Sequence, residues 1–290
     1  MDTMPSELAS TVVLSSGMVA AVLVAAAMHA TWNAIAHGIG DRLVGFALIG
    51  VVDVVIGGAV VAVTGLPPTG AWPFIVVSAL THVVYNVFLL ISYQLGDFSQ
   101  TYPLARGISP VVVAAVSILL LHRVLTTREL IGICLISAGL IGLVVVGGIK
   151  NVDPRALGAA GVTGVMIATY TVVDGLGVER APLFAYTGWM FLLQGPALPL
   201  IALMRRRGQL LPRIRRHLWP GLLGGVIQLA AYAIVLWAQT SGMLAAVAAL
   251  RESSIVFGAV IGAVFFGERL GHHRTVMAVV VLCGVIVLST

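Results

Sequence analysis

Two arginines stand where a charge is costly. Arg106, in TYPLARGISP (101–110), and Arg251, in VAALRESSIV (246–255), each interrupt a long apolar run. A guanidinium stays charged and offers a planar fork matched to carboxylate or phosphate oxygens. Left unpaired at the middle of a bilayer it costs at least about 3 kcal/mol. Each arginine must therefore face protein or water. It serves either as an anchor for an anionic group or as an interhelical clamp onto Asp53, Glu252 or a freed backbone carbonyl. Pro103 and Pro110 flank Arg106 and remove backbone donors, so they are expected to break that helix locally. Such a break is tolerated only where neighbours or a cavity satisfy the carbonyls. Glu252 adjoins Arg251, but adjacent helical residues point about 100° apart, so the two are not expected to pair with each other.

The acidic residues inside apolar runs are Asp53, Asp174 and Glu252. A buried carboxylate that no arginine neutralises is a candidate proton carrier, because burial favours the protonated form. Asp53, in VVDVV, and Glu252 are the stronger candidates; Asp174, near an expected helix end, reads as solvated. A polar stripe joins His82, Tyr85, Asn86 and Tyr93 at helical spacing, and Gln228, Tyr232 and Gln239 repeat it later in the chain. Matched stripes of this kind suit two walls of one cavity. His29, Trp32 and Asn33 share a further face, which Tyr170 and Asp174 answer one half-chain on. Trp32, Tyr102, Tyr170, Trp189 and Trp237 together are candidates for an aromatic cage. Trp72 and Trp219, each beside a proline, read as anchors at the membrane surface.

No nucleophile elbow, HExxH, metal-spaced His and Cys cluster or glycine-rich phosphate loop occurs, so neither an enzyme nor a metal or other cofactor is expected. Cys134 and Cys283 fall inside apolar runs and read as small packed hydrophobes rather than a disulfide.

The elements that must position these residues follow from composition. With 59% hydrophobic and 9% charged residues among 290, and a mean hydropathy of +1.07, the chain cannot hide its apolar surface in a soluble globule. A bilayer core of about 30 Å takes roughly 20 apolar residues per helix. Ten such runs are expected, near 17–38, 43–64, 72–95, 98–121, 128–149, 157–178, 183–204, 219–240, 243–266 and 272–289. They are continuous rather than alternating, which argues for all-α spans over a β-barrel. The N-terminal tail carries Asp2 and Glu7 but no basic residue, so a cleaved signal peptide is not expected. Alternating loops place 11 of the 16 basic residues on one side, including the cluster RRRGQLLPRIRR (205–216). The positive-inside rule then puts both termini outside the cytoplasm.

The sequence also repeats itself. WP at 72–73 followed by Tyr85 returns as WP at 219–220 followed by Tyr232, and Arg106, Ser109 and Val111 return as Arg251, Ser254 and Val256. The chain therefore divides into halves 1–150 and 151–290, each of five helices. An odd number of helices inverts the second half in the membrane, an arrangement that favours alternating access by a transporter.

The first helix with HATWNA, and the segments LLLHRVLTTRELIGICLISAGLIGLVV and FFGERLGHHRTVMAVVVLCGVIVLS, resemble the EamA branch of the drug/metabolite transporter superfamily. GERL (267–270) and the glycine-bearing helix after it carry most of the likeness, while the first half departs from it with LHRVL (121–125). The resemblance implies a ten-helix carrier of a bacterial-type inner membrane, often an exporter of amino acids or related metabolites, with a central cavity between the halves. It also implies cytoplasmic termini, against the charge count, and the charge count takes precedence. The expected partners are a small-molecule substrate and the bilayer, not nucleic acid; a homodimer stays open. A flippase of a lipid-linked amphiphile and a carrier of small phosphonates or organic anions are the alternative readings.

Overall fold

A backbone with no water to bond must satisfy its own N–H and C=O groups, and this chain does so as helix almost throughout. The computed structural model describes residues 15–96, 98–146, 153–265 and 271–289. Among them no strand occurs, and the helices follow in the order α1 (Ser16–Gly38), α2 (Arg42–Thr64), α3 (Trp72–Leu95), α4 (Phe98–Leu119), α5 (Thr127–Val146), α6 (Pro154–Gly177), α7 (Leu183–Gln194), α8 (Ala197–Arg206), α9 (Leu210–Gln239), α10 (Leu244–Arg251), α11 (Ser254–Phe265) and α12 (His272–Ser289).

Local chemistry sets several boundaries. The Ser15 side chain accepts from the Met18 amide, and Asp41 and Asp153 cap α2 and α6 in the same manner. Pro73 and Pro154 sit in first turns, where a missing N–H costs nothing. Gly65 ends α2 at φ 73°, a conformation open to glycine but strained for other residues.

Among the described residues, eight runs are long and apolar enough to cross a membrane: the first six helices, the α7–α8 pair read as one run (Leu183–Arg206), and α9. They coincide with the first eight expected spans. The expected ninth, 243–266, is divided at Glu252 and Ser253 into α10 and α11, and the apolar part of α12, Thr275–Ser289, is shorter than a full crossing.

The proline expectation is corrected. α4 runs unbroken through Pro103 and Pro110; each proline removes one donor without ending the helix. The interruption beside an arginine occurs instead at α10–α11, where no proline stands. The cysteines are corrected too: Cys134 and Cys283 are both exposed on the outer surface of the bundle and unbridged. The reading of the N-terminal tail at Asp2 and Glu7, and the GERL segment, lie outside the described residues.

At two helix crossings glycine meets glycine. A Cβ added to Gly50 would lie 2.5 Å from the Gly195 carbonyl oxygen, and one added to Gly195 would lie 2.8 Å from that of Gly50. Gly132 of α5 and Gly284 of α12 show the same reciprocity, at 3.0 and 2.8 Å. Bare backbones allow helices to approach at these crossings. Elsewhere α3 packs on α6, α1 on α9, α4 on α6, and α1 on α11.

Candidate functional site

The two arginines lie in one cluster. Arg106 is contributed by the middle of α4 and Arg251 by the last residue of α10, and both are almost wholly buried, at 1% and 2% exposure. Between them is Glu252, which follows the end of α10. Arg106 Nη1 donates to Glu252 Oε2 at 3.0 Å, and Arg251 Nη2 reaches Oε1 at 3.5 Å. The expectation that Arg251 and Glu252 would not pair is thereby corrected. Glu252 keeps a helical backbone conformation at φ −70° and ψ −12°; the two side chains are long enough to bend towards each other where α10 ends, and they meet at the outer limit of a hydrogen bond.

Arg251 also donates to Thr171 Oγ1 at 3.4 Å, and its guanidinium lies 5.7 Å from the centre of the Tyr170 ring. Arg106 sits 5.1 Å from the Tyr102 ring and contacts the His29 imidazole at Nε2. The Tyr102 hydroxyl is 3.4 Å from that of Ser254. Two guanidiniums share one carboxylate, so the cluster carries one positive charge more than it neutralises. Arg251 Nε and the Ser253 and Ser109 hydroxyls are buried with no hydrogen-bond partner.

Beside this cluster is a cavity of about 30 Å³, enough for a water or two. His29 and Trp32 of α1, Asp53 of α2, His82, Tyr85 and Asn86 of α3, Tyr170 of α6, Gln194 of α7 and Gln228 and Tyr232 of α9 contribute to its walls. The His82 ring stacks on Tyr170 with centroids 4.0 Å apart, and meets Tyr232 edge-on at 5.2 Å. His82 Nδ1 lies 3.0 Å from the Ser78 carbonyl and donates to it, which leaves Nε2 for the cavity side of the ring. Tyr170 and His29 belong to both the cavity wall and the arginine cluster, so the two form one continuous site.

Asp53 accepts from Gln194 Nε2 at 3.3 Å, and its second oxygen has no partner. Among the described residues no ion pair reaches it. Gln194 Oε1 and Gln228 Oε1 are also buried and unpartnered. The cavity therefore presents acceptors on one wall and, through the arginine cluster, donors on the other.

The sequence-derived candidates distribute unevenly. Trp32, Asp53, His82, Tyr85, Asn86, Tyr170, Gln228 and Tyr232 line the cavity, whereas Arg106, Arg251, Glu252 and Tyr102 build the cluster behind it. Asn33 stands outside the lining: its amide donates to the His29 carbonyl and its oxygen accepts from the Tyr93 hydroxyl at 3.4 Å. Gln239, expected on the α9 stripe, is buried at the far end of that helix with both amide atoms unpartnered.

The five-member aromatic cage is corrected. Trp189 packs on Trp72 at 4.9 Å and donates to the Gly65 carbonyl, at the rim of the bundle. Trp237 is 43% exposed on the outer face. Asp174 is corrected as well, since it is fully buried and accepts from Tyr186 at 2.7 Å and from Tyr232. Its sequence signal was an acidic residue one turn beyond Tyr170; the two tyrosines that hold it come from α7 and α9. Among the described residues no His, Cys, Asp and Glu group has the makings of a metal site.

Long apolar helices with a small cavity and buried charge among them define a multi-pass membrane protein. Residues 155–290 match the EamA-like transporter family. The match bears out the likeness to the EamA branch of the drug/metabolite transporter superfamily. No curated protein matches the chain. A solved structure described only as "Crystal structure of protein" is similar in fold over 94% of this chain and 98% of its own, with a TM-score of 0.73 at 16% identity.

Proposed function

We propose that the chain is a secondary carrier that exports amino acids or related small polar metabolites by alternating access. The observation that carries this reading is the pair of buried arginines sharing one carboxylate beside a polar cavity. A substrate carboxylate would supply the missing negative charge, with the Arg251 and Arg106 guanidiniums as its donors. His82, Tyr85, Asn86, Tyr170, Gln228 and Tyr232 would bind the remainder. The unpartnered donors and acceptors at the cavity and the arginine cluster favour such a solute over a lipid-linked amphiphile.

The ten-crossing, two-repeat architecture belongs to the same proposal, with α10–α11 and α12 as the ninth and tenth crossings. Helix pairing supports it. α3 packs on α6 as α9 packs on α1, and α4 packs on α6 as α11 packs on α1. Each pair is the counterpart of the other when 1–150 is exchanged with 151–290. The reciprocal glycine contacts of α2 with the α7–α8 junction, and of α5 with α12, lie where a twofold axis in the membrane plane would pass.

A cavity of about 30 Å³ is too small for an amino acid, so transport requires the halves to move apart on one side at a time. Asp53, the cavity carboxylate with a vacant acceptor, is the stronger choice for proton coupling. Glu252 is engaged by two arginines and would act by holding them until substrate arrives.

Counterflow in proteoliposomes against labelled amino acids, amines and small phosphonates tests the proposal, with Arg106→Ala beside the wild type. Exchange of one carboxylate-bearing class, lost in the folded variant, supports it. Equal exchange by both proteins makes Arg106 structural. No exchange of any solute by the wild type removes the carrier reading and turns the search to lipid substrates.

A further inference from the structure

At one end of the bundle a second pocket opens, with a volume of about 320 Å³. It is lined by Ile39, Gly40, Asp41, Arg42 and Leu43 at the start of α2, Gln94 at the end of α3, and Arg206 and Arg213 on either side of the α8–α9 turn. Three guanidiniums face one carboxylate. Arg206 Nη2 and Arg213 Nη1 each donate to Asp41, at 3.1 and 2.5 Å, and Arg42 donates to the Tyr93 carbonyl. The pocket thus holds two positive charges beyond those Asp41 neutralises. Arg206 Nε is buried with no hydrogen-bond partner. The N-terminus of α2 adds its partial positive charge.

We propose that this pocket binds a phosphate group. Its volume is at the small end of ligand sites, and planar guanidiniums with vacant donors suit phosphate oxygens. The depth favours a phospholipid headgroup as the source. Trp219, 79% exposed on α9 and beside Pro220, reads as an anchor at the membrane surface, and Arg213 precedes it by six residues. At 1.5 Å per residue this places Arg213 about 9 Å further out, at the headgroup level. An incoming phosphate would compete with Asp41 for Arg206 and Arg213, so occupancy would loosen the bridge that ties α2 to the α8–α9 turn. The site is independent of the central cavity, and its test does not depend on the transport assay.

The full chain is purified into phosphatidylcholine nanodiscs with and without phosphatidylglycerol, and lipid retained on the released protein is counted by native mass spectrometry. The wild type is expected to retain phosphatidylglycerol over phosphatidylcholine. The Arg206→Gln/Arg213→Gln variant is expected to lower that retention about fivefold or more. Arg42→Gln serves as a second pocket variant should the double variant fail to fold. Arg215→Gln, exposed and outside the pocket, should change little. Displacement of the lipid by inorganic phosphate, or thermal stabilisation by phosphate in phosphatidylcholine alone, would keep the site and assign it a soluble phosphate ester. Equal loss in Arg215→Gln would reduce the effect to diffuse surface charge and overturn the proposal. So would no preference for phosphatidylglycerol together with no response to phosphate.

Discussion

Glu252 holds two buried guanidiniums, and removing its charge should be costly. Breaking a buried pair while leaving its partner typically destabilises by about 3–5 kcal/mol. Glu252→Gln is therefore expected to unfold at markedly lower temperature in detergent, and adding Arg106→Gln should recover part of the loss, the non-additivity expected of groups in contact. Strict additivity would show that the pair observed at 3.0 Å is energetically idle. Asp53 makes a different prediction, since it has a Gln194 contact but no ion pair among the described residues. Asp53→Asn should retain substrate counterflow and lose uptake driven by a proton gradient. Loss of both activities, or of neither, would remove it from coupling. The depth of Arg106 and Arg251 was legible from their apolar flanks, because charge inside a span is rare and must be compensated. The role of Asp174 was not, because its tyrosine partners lie 12 and 58 residues away in sequence.

At the scale of elements, the close crossing of α2 with the α7–α8 junction depends on two glycines. Gly195→Val would place its Cβ against the Gly50 carbonyl and Val54, an overpacking expected to cost about 1–3 kcal/mol. Gly158→Ala in α6, where an added Cβ meets nothing within 4 Å, should instead stabilise by about 0.4–1 kcal/mol. Thermal unfolding of the two variants side by side checks the contrast. Which helix each glycine would face was not readable from the sequence.

Asp41 ties the same region together. Burial alone would raise its carboxyl, but hydrogen bonds from Arg213 and Arg206 outweigh burial and hold it below the usual carboxylate range. A depressed folded-state value means that its contribution is fully present above the unfolded value, near 3.8, and is lost as pH falls through the folded one. The melting temperatures of wild type and Asp41→Asn should thus differ at pH 7 and converge towards pH 3. The gap is expected to be modest, since the arginine partners are over a third exposed.

For the whole molecule, the ends of the bundle are sorted by their contacts. Arg123, after α4, bonds Glu179, after α6, and the Gly242 carbonyl, after α9. Asp41, before α2, bonds Arg206 and Arg213. The two sets occupy opposite ends, as alternating loops require. On the charge count, the arginine-rich end is expected to face the cytoplasm. Val124→Cys, at a 94% exposed position, should then react with an impermeant thiol reagent in intact cells, whereas Arg215→Cys should not, in a background lacking Cys134 and Cys283. The reverse pattern would put the termini in the cytoplasm, as the family resemblance implied.

Composition and run length alone determined that this chain is an all-helical membrane protein, because apolar segments of that length have no other solvent and their backbones no other way to bond. Spacing alone placed much of the cavity wall, because a helix puts residues three and four apart on one face; Tyr93 and Gln239, eleven residues on, fall outside the lining. What only the tertiary structure decided was pairing: that α10 ends at Arg251, that Glu252 faces both arginines, that Trp189 and Trp237 lie outside the site, and that Asp174 lies within reach of α7 and α9. Those outcomes depend on which helices cross and where their glycines let them meet. Helical periodicity specifies a face but leaves its partner undetermined.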